Sequence, residues 1–391
     1  MKKIDTYFDD FLSGIRLTQT QKDDLKRGHK TLRERLEADD DLKSIIVTTF
    51  LQGSYRRSTA VRPLGGKRAD VDVIIVTNID KSKVTPQEAI DKFIPFVEKH
   101  YKGKYTVQGR SIGIELSYVD LDIVITSAPS EVDQEALKSR SVTTDLMLEE
   151  LTAGYNDWKL IKGWQEPDVI KGTNVQNLNE AQRNEAEWKL EPLHIPDRDA
   201  DKWEDTHPLE QIRWTRDKNK NTNKHFVNVV KALKWWRILR LTNLKYPKGY
   251  PIEHMIGNCC NDGILSIAEG VCVTLENIVS NYALNRLAGT VPVLGDRGVP
   301  SHNVWKRITV SDFNTFYDTV STYAKIARQA LNETSLKKQV EKWQELFGDK
   351  FPDAPDYEGG DDGSNKITGN GGGFSKRTDV TIPAGGRFAS L

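Results

Sequence analysis

The chain has 391 residues, which is enough for one large domain or two of ordinary size with a substantial core. Its 56 Lys and Arg residues balance its 56 Asp and Glu residues, which argues against an obligatory long nucleic-acid partner, so any recognition of phosphate must be local. No apolar run approaches the roughly 20 residues of a membrane helix, the acidic N-terminal stretch is unlike a signal peptide, and three cysteines cannot form a disulfide framework, so we expect a cytoplasmic protein without a membrane partner.

Helical and strand-like patterns alternate through the first third of the chain. In the first predicted helix, Leu25, Leu32 and Leu36 recur at helical intervals among charged residues. An apolar run then leads into a Gly-Ser turn, and runs of branched apolar residues follow the turn. In chain order the sequence predicts a helix over 17–38, an apolar run over 43–51, a strand over 71–77, a helix over 85–101, two strands or one with a turn within 105–118, and a strand over 119–126.

The rest of the chain has a different character. Residues 145–225 are polar and rich in Trp, Asn, Asp and Pro, which predicts irregular loops around a core. Helical spacing begins at 223–241 and continues through later segments. The Gly-rich end of the chain cannot bury enough apolar surface to offset the entropy lost when a chain becomes ordered. We therefore predict a core with an N-terminal helix over 1–145, a helical lobe over 146–352 and a flexible tail over 353–391.

Two carboxylates lie one residue apart where the 71–77 strand begins. Side chains alternate along a strand, so Asp70 and Asp72 face the same way. Two carboxylates this close repel each other and are costly to bury, and a divalent cation between them removes that cost. A third carboxylate is available in "YVDLDIVIT" from Asp120 or Asp122, which share a strand face, so spacing alone does not choose between them.

This set of residues fits nucleotidyl transfer, in which a hydroxyl attacks the α-phosphate of a nucleoside triphosphate and pyrophosphate leaves. Two Mg²⁺ ions, with Mn²⁺ as a substitute, would be held by the paired carboxylates and the third one. Gly53 and Ser54 precede the pair, and glycine lets backbone N–H groups approach an anion closely while serine adds a hydroxyl. The order of these parts predicts an enzyme.

Several stretches together resemble a known family. "QGSYRRSTAVRP", "DVDVIIV", "LDIVIT", "HPLEQIRWT", "VVKALKWWR" and "YPKGYPIEHMI" are similar to segments of the bacterial cGAS/DncV-like nucleotidyltransferases, or CD-NTases, of the polymerase β-like superfamily, with clade D the most similar branch. The likeness covers nearly the whole chain. It implies an α+β fold, with a polymerase β-like core built on a mixed sheet and a C-terminal helical bundle lobe.

The resemblance also implies roles for individual residues. Asp70, Asp72 and Asp122 match the catalytic metal ligands, because the family's third carboxylate precedes two apolar residues. Nucleotide contacts are implied for Gln52, Gly53, Ser54 and Lys234. Where many relatives have a Lys-Ser-aromatic segment after the lysine helix, this chain has Lys248-Gly249-Tyr250.

The function implied by the resemblance is synthesis of a cyclic di- or trinucleotide second messenger from nucleoside triphosphates, with ATP expected as substrate and GTP as a second one. The product would activate an effector in anti-phage (CBASS) signalling. A regulatory or conjugating protein acting on the C-terminal tail is a further expected partner, although the ending "GGRFASL" departs from the small terminal residue expected for conjugation.

Other interpretations stay open from the residues alone. A linear RNA-tailing or oligoadenylate-type nucleotidyltransferase, or an inactive nucleotide-binding scaffold, would share many of these features. Arg56 and Arg57 could contact phosphates or coat a surface, and Lys234 could extend from an amphipathic helix into solvent. Four thiol and imidazole side chains are of the types that bind zinc, but we interpret them instead as buried structural residues. They are His254, Cys259, Cys260 and Cys272.

Overall fold

The computed structural model describes residues 3–128, 130 and 191–354. A seven-stranded mixed sheet has the order β1-β2-β5-β4-β3, with β6 pairing with β5 and β7 with β6. Among the described strands, only β2 and β5 run parallel, and the other pairs are antiparallel. The strands are β1 (Ile46–Gln52), β2 (Asp70–Thr77), β3 (Tyr105–Val107), β4 (Ile112–Glu115), β5 (Asp120–Ser127), β6 (Leu193–Asp197) and β7 (Lys202–Thr206).

Helices precede, interrupt and follow the sheet. They are α1 (Ile4–Ile15), α2 (Gln19–Glu37), α3 (Gly53–Arg56), α4 (Pro86–Asp91), α5 (Ile94–Tyr101), α6 (Pro208–Asn221), α7 (Phe226–Arg240), α8 (Tyr250–Cys259), α9 (Ile267–Asn281), α10 (Ala283–Ala288), α11 (Val310–Asn332) and α12 (Leu336–Phe347), followed by a 3₁₀ turn at Gly348–Lys350. The mixed sheet and the helical second half confirm the predicted α+β class.

Alternate residues of β2 and β5 enter different environments. Val71 and Val73 of β2 join Leu121 of β5 in a core that also takes in α2 and α5. Asp70 and Asp72, which alternate with these valines along β2, therefore lie on the face of the sheet opposite this core, because side chains alternate along a strand. Helix α2 crosses the sheet closely at Gly28, where an added Cβ would lie 2.7 Å from Val119.

The predicted helix over 85–101 is in fact two helices, α4 and α5. Pro95 lies in the first turn of α5 and has no N–H to donate to the carbonyl four residues earlier, which explains why the first helix does not continue. The prediction of irregular loops over 145–225 is wrong for its described part. Residues 193–206 form the β6–β7 hairpin and 208–221 form α6.

The helical half is organised around α7. Ten of its fifteen residues are buried, so it is covered on most of its surface and not only along one stripe. Trp235 and Trp236 are both about 1% exposed, and the core around them also includes α1 and α12. The boundary predicted near residue 145 and residues 355–391 of the predicted tail lie outside the described residues.

Within the described residues, no helix combines the length and the apolar character needed to cross a bilayer.

Candidate active site

Four carboxylates open the two parallel strands at the centre of the sheet. The register pairs Asp70 with Asp120 and Asp72 with Asp122. Because each pair is in register on neighbouring parallel strands, all four side chains project from the same face of the sheet. The fold thus brings together carboxylates that are 50 residues apart in sequence.

The structure distinguishes Asp120 from Asp122. The Arg68 Nε donates a hydrogen bond of 2.6 Å to Asp120 Oδ1, so this carboxylate already has a counter-ion from the loop before β2. Asp122 has no ion pair among the described residues and instead accepts a long, 3.4 Å hydrogen bond from Gln108 Nε2. Asp122, beside Asp72, is therefore the carboxylate left free for another cation, in agreement with the resemblance.

The electrostatics of the site are those of carboxylates that lack a counter-ion. Burial, followed by the nearby Asp70 and Asp122, raises the pKa of Asp72 to about 7, although Arg57 acts in the opposite direction. Burial, Asp70 and Asp120 raise the pKa of Asp122 to about 6. A bound divalent cation would relieve both costs, and carboxylate oxygens are the ligands that Mg²⁺ prefers.

These oxygen donors fit a magnesium site, but the protein side chains do not complete one. Across the described segments, no three His, Cys, Asp or Glu side chains are arranged to hold a metal ion by themselves. Substrate phosphates usually supply part of the Mg²⁺ shell in enzymes that act on nucleotides, so an incomplete protein shell is compatible with this use. Asp70, Asp72 and Asp122 are the side chains on this face that could hold the ions.

A tight turn, which begins with the four-residue helix α3, follows β1 directly beside the carboxylates. Gly53 has a positive φ of 79°, and a Cβ at this position would lie 1.7 Å from Asp72 Oδ2. Only glycine allows both this conformation and this approach. The turn folds back on itself, because the backbone N–H groups of Thr59 and Ala60 both donate to the Ser54 carbonyl. The predicted Gly-Ser turn thus lies against the predicted metal ligands.

A chain of amides joins the end of β1 to the helical half. Gln52 is paired in register with Asp72, and its side chain donates to Gln211 Oε1 at 3.4 Å. Gln211 in turn donates to Asp296 Oδ2 at 2.9 Å. Gln52 is therefore close to the carboxylates, while its amide already has a partner on α6.

Lys234 is bound inside the protein. Its Nζ donates to the Thr59 carbonyl at 3.0 Å and to Glu253 Oε1 at 2.8 Å, and its side chain is only 12% exposed. The alternative in which it extends into solvent is wrong. Arg56 and Arg57 are also buried, at 9% and 6% exposure, so the surface-coating alternative fails for them as well.

Sequence reasoning missed Lys231. This lysine lies three residues before Lys234 on α7 and is only 5% exposed. Burial, Arg16, Lys22 and Lys234 all lower its pKa, and no acidic group in the described part of the chain is a main cause in the opposite direction. A lysine repeated at helical spacing was the signal that could have drawn attention to it.

The three cysteines lie in the helical core. Cys259, Cys260 and Cys272 are buried, and burial raises the pKa of Cys259 and of Cys272 to about 12. A thiol must lose its proton to bind zinc, so this surrounding opposes the zinc interpretation.

A carboxylate-lined face of a mixed sheet, with a Gly-Ser turn against it, defines a nucleotidyltransferase. Residues 1–127 match the family model described as the Second Messenger Oligonucleotide or Dinucleotide Synthetase domain. The cyclic AMP-AMP-GMP synthase of Enterobacter hormaechei subsp. hoffmannii (strain UCI 50) is 45% identical over 391 residues, 98% of this chain and 98% of the relative. The chain therefore belongs to the cGAS/DncV-like nucleotidyltransferases, a family of cyclic oligonucleotide synthases.

Two further comparisons agree with this assignment. The cyclic AMP-AMP-AMP synthase of Acinetobacter sp. is 31% identical over 349 residues, which cover 88% of this chain and 84% of the relative. The solved structure of E. coli MS115-1 CdnC in complex with HORMA-deltaN aligns with a TM-score of 0.58 at 16% identity, over 89% of this chain and 98% of that chain. The latter shows a shared fold.

Proposed function

We propose that this enzyme joins ATP and GTP into a cyclic trinucleotide of the AMP-AMP-GMP type, with release of pyrophosphate. The observation that carries the proposal is the Asp70, Asp72 and Asp122 set beside the Gly53 turn, in a chain that matches a cyclic AMP-AMP-GMP synthase from end to end. Of the predicted ring sizes, the trinucleotide is favoured because both relatives described above are named for three-nucleotide products. The chain is 45% identical to the cyclic AMP-AMP-GMP synthase and 31% identical to the cyclic AMP-AMP-AMP synthase, which favours the product that contains guanine.

The chain's own residues would divide the work as follows. Asp70, Asp72 and Asp122 would hold two Mg²⁺ ions, or Mn²⁺ in their place. When bound, these ions would activate the attacking hydroxyl and stabilise the charge that develops on the phosphate. The turn at Gly53 and Ser54 would receive the terminal phosphates close to its backbone.

Positive charge for the triphosphate would come from α7. Lys231 and Lys234 lie three residues apart on α7, and Lys234 binds the Thr59 carbonyl of the turn. Lys231 has no acidic partner among the described residues, so it would gain the most from a phosphate. Lys234, whose Nζ binds the Thr59 carbonyl of the turn, would add a second contact.

We place this activity in anti-phage (CBASS) signalling in the cytoplasm, with the cyclic product acting on a separate effector. Membership of clade D remains part of this proposal and rests on the sequence segments named above. A protein regulator is a reasonable partner, since a structural neighbour was solved in complex with HORMA-deltaN. Conjugation through the C-terminal tail is a second, separate proposal about partners.

The test is incubation of the purified protein with radiolabelled ATP and GTP and with Mg²⁺ or Mn²⁺, followed by phosphatase and mass spectrometry. The control is the double variant Asp70→Asn, Asp72→Asn. Phosphatase-resistant product from the wild type alone, with the mass of a ring of two AMP units and one GMP unit, is expected. A product from which the phosphatase removes terminal phosphates would instead identify a linear polymerase of the RNA-tailing or oligoadenylate type.

A further inference from the structure

Glu253 on α8 is a buried carboxylate with three donors. Its Oε1 accepts a hydrogen bond from Lys234 Nζ at 2.8 Å. Its Oε2 accepts from Arg57 Nε at 3.1 Å and from Thr59 Oγ1 at 2.9 Å. Both carboxylate oxygens are therefore used, and the Glu253 side chain is only 6% exposed.

Two of these three donors belong to the turn that follows Gly53. Arg57 and Thr59 flank Ser58, whose φ of 58° lies in the left-handed region that a non-glycine residue rarely adopts. The same Thr59 also donates its backbone N–H to the Ser54 carbonyl at 2.9 Å. Glu253 thus binds the turn on both sides of its most strained residue.

The third donor comes from the helical half. Lys234 also binds the Thr59 carbonyl, so Glu253, Lys234 and Thr59 form a closed set of contacts between α7, α8 and the turn. Burial alone would raise the pKa of Glu253, but Lys234 and Arg57 outweigh it and lower the pKa to about 2. The Glu253 carboxylate is therefore ionised at neutral pH. Together with the cations of Lys234 and Arg57, it leaves a net charge of one positive unit.

We propose that Glu253 is a positioning residue for phosphate binding: it holds the Gly53–Thr59 turn in shape from the helical half and directs Lys234 toward the turn. This inference rests on the proposed function, because the turn and Lys234 are the groups assigned there to the triphosphate. Glu253 itself, as an anion, does not touch the phosphates.

A carboxylate is needed for this task. Glutamine has nearly the same shape but offers a single acceptor oxygen, and its NH₂ group would face one of the donors. One member of the Arg57, Thr59 and Lys234 set would then lose its partner in a buried place, which is costly. Aspartate keeps both oxygens and shortens the reach, so it should restore part of the function.

The experiment compares wild type with Glu253→Gln, Glu253→Asp and Thr59→Val. The matched control is Glu276→Gln, which breaks another Glu–Arg pair of the helical half, with Arg328 Nε at 2.7 Å. Binding of α,β-methylene-ATP in the presence of Mg²⁺ is measured by calorimetry, beside the KM and kcat of product formation. The analogue does not react between its α- and β-phosphates, so binding is measured independently of synthesis.

We expect Glu253→Gln to weaken analogue binding and raise the KM for ATP about tenfold, with kcat changed less than about threefold. Glu253→Asp should lie between this variant and the wild type, and Glu276→Gln should match the wild type. If Glu253→Gln does not fold, the result for Thr59→Val decides. This variant removes the hydroxyl that donates to Glu253 at 2.9 Å and contacts the Ser54 carbonyl at 3.4 Å, and it should raise KM by a smaller factor.

The inference would be overturned if folded Glu253→Gln binds the analogue as the wild type does. If Glu253→Gln does not fold, unchanged binding in Thr59→Val would have the same meaning. Either result would leave the proposed function intact. A lower kcat at unchanged KM would also overturn it, because a positioned phosphate contact acts on binding. Failure of the wild type itself to bind the analogue or make product would instead refute the proposed function, and the inference with it.

Discussion

Asp120 and Asp122 provide a direct test at the scale of single residues, because they share a strand and a face but have different partners. We expect Asp122→Asn to lower product formation at least a hundredfold, since it removes an oxygen that would hold a cation, an effect of several kcal/mol. Asp120→Asn should retain activity within about tenfold, because the Asp120 carboxylate is already bound by Arg68. The measurement is initial rate with radiolabelled ATP and GTP, and equal losses in both variants would contradict the assignment.

The pH dependence of stability should identify Glu253. Its pKa is about 2 in the folded protein and near 4.5 when exposed, so its ionisation stabilises the fold above about pH 4.5. This contribution is lost as the pH falls from about 4.5 toward 2, and it amounts to about 3 kcal/mol at most.

Urea unfolding of wild type and Glu253→Gln from pH 3 to pH 7 measures this effect. The difference in unfolding free energy should be largest at pH 6 to 7 and should shrink below about pH 4.5. A difference that stays constant over this range would mean that the ionised carboxylate is not the stabilising form.

At the scale of elements, the turn after β1 depends on glycine for two separate reasons. In Gly53→Ala, the alanine would have to adopt a positive φ, and its Cβ would lie 1.7 Å from Asp72 Oδ2. We expect at least a hundredfold loss of activity, because either the turn or the carboxylate must shift by about 1 Å.

Gly103→Ala is the matched control for that variant. Gly103 also has a positive φ, of 69°, but an added Cβ there meets no atom within 4 Å. It should lower stability by about 1–2 kcal/mol, the cost of the backbone conformation alone, and leave activity unchanged. Thermal unfolding and the rate assay distinguish the two glycines, and similar activity losses would show that backbone strain explains both.

At the scale of the whole molecule, the first described helix meets Phe351, just after the last 3₁₀ turn, through aromatic rings. Phe351 is 1% exposed and lies 5.2 Å from Phe8 and 5.7 Å from Phe11, measured between ring centroids. We expect Phe351→Ala to cost about 3–5 kcal/mol and to lower Tm by at least about 6 °C. Leu265→Ala, at a position 78% exposed, should change stability by less than about 0.5 kcal/mol. A Phe351→Ala variant as stable as this control would show that the ring cluster does not close the fold.

Local patterns were sufficient where neighbouring residues set the structure. The strand period of two placed Asp70 and Asp72 on one face, and the helical spacing of Leu25, Leu32 and Leu36 predicted α2, whose core these leucines enter. The prediction failed over residues 193–206, whose strands have a polar composition. There Ser127, the last residue of the central strand β5, pairs with His194, a contact that composition does not encode.

The sequence by itself determined the class of chemistry, and the family through segments similar to known relatives. It also predicted the residues of the site, because alternation along a strand and the freedom of glycine act within a few neighbouring residues. Only the tertiary structure decided which carboxylate stays unpaired and what Lys234 contacts. The contacts involved, Arg68 with Asp120 and Lys234 with the Thr59 carbonyl, join residues separated by 52 and 175 positions. Such contacts exist only once the sheet and the helices have packed, since packing sets both the distance between the groups and their exclusion from water.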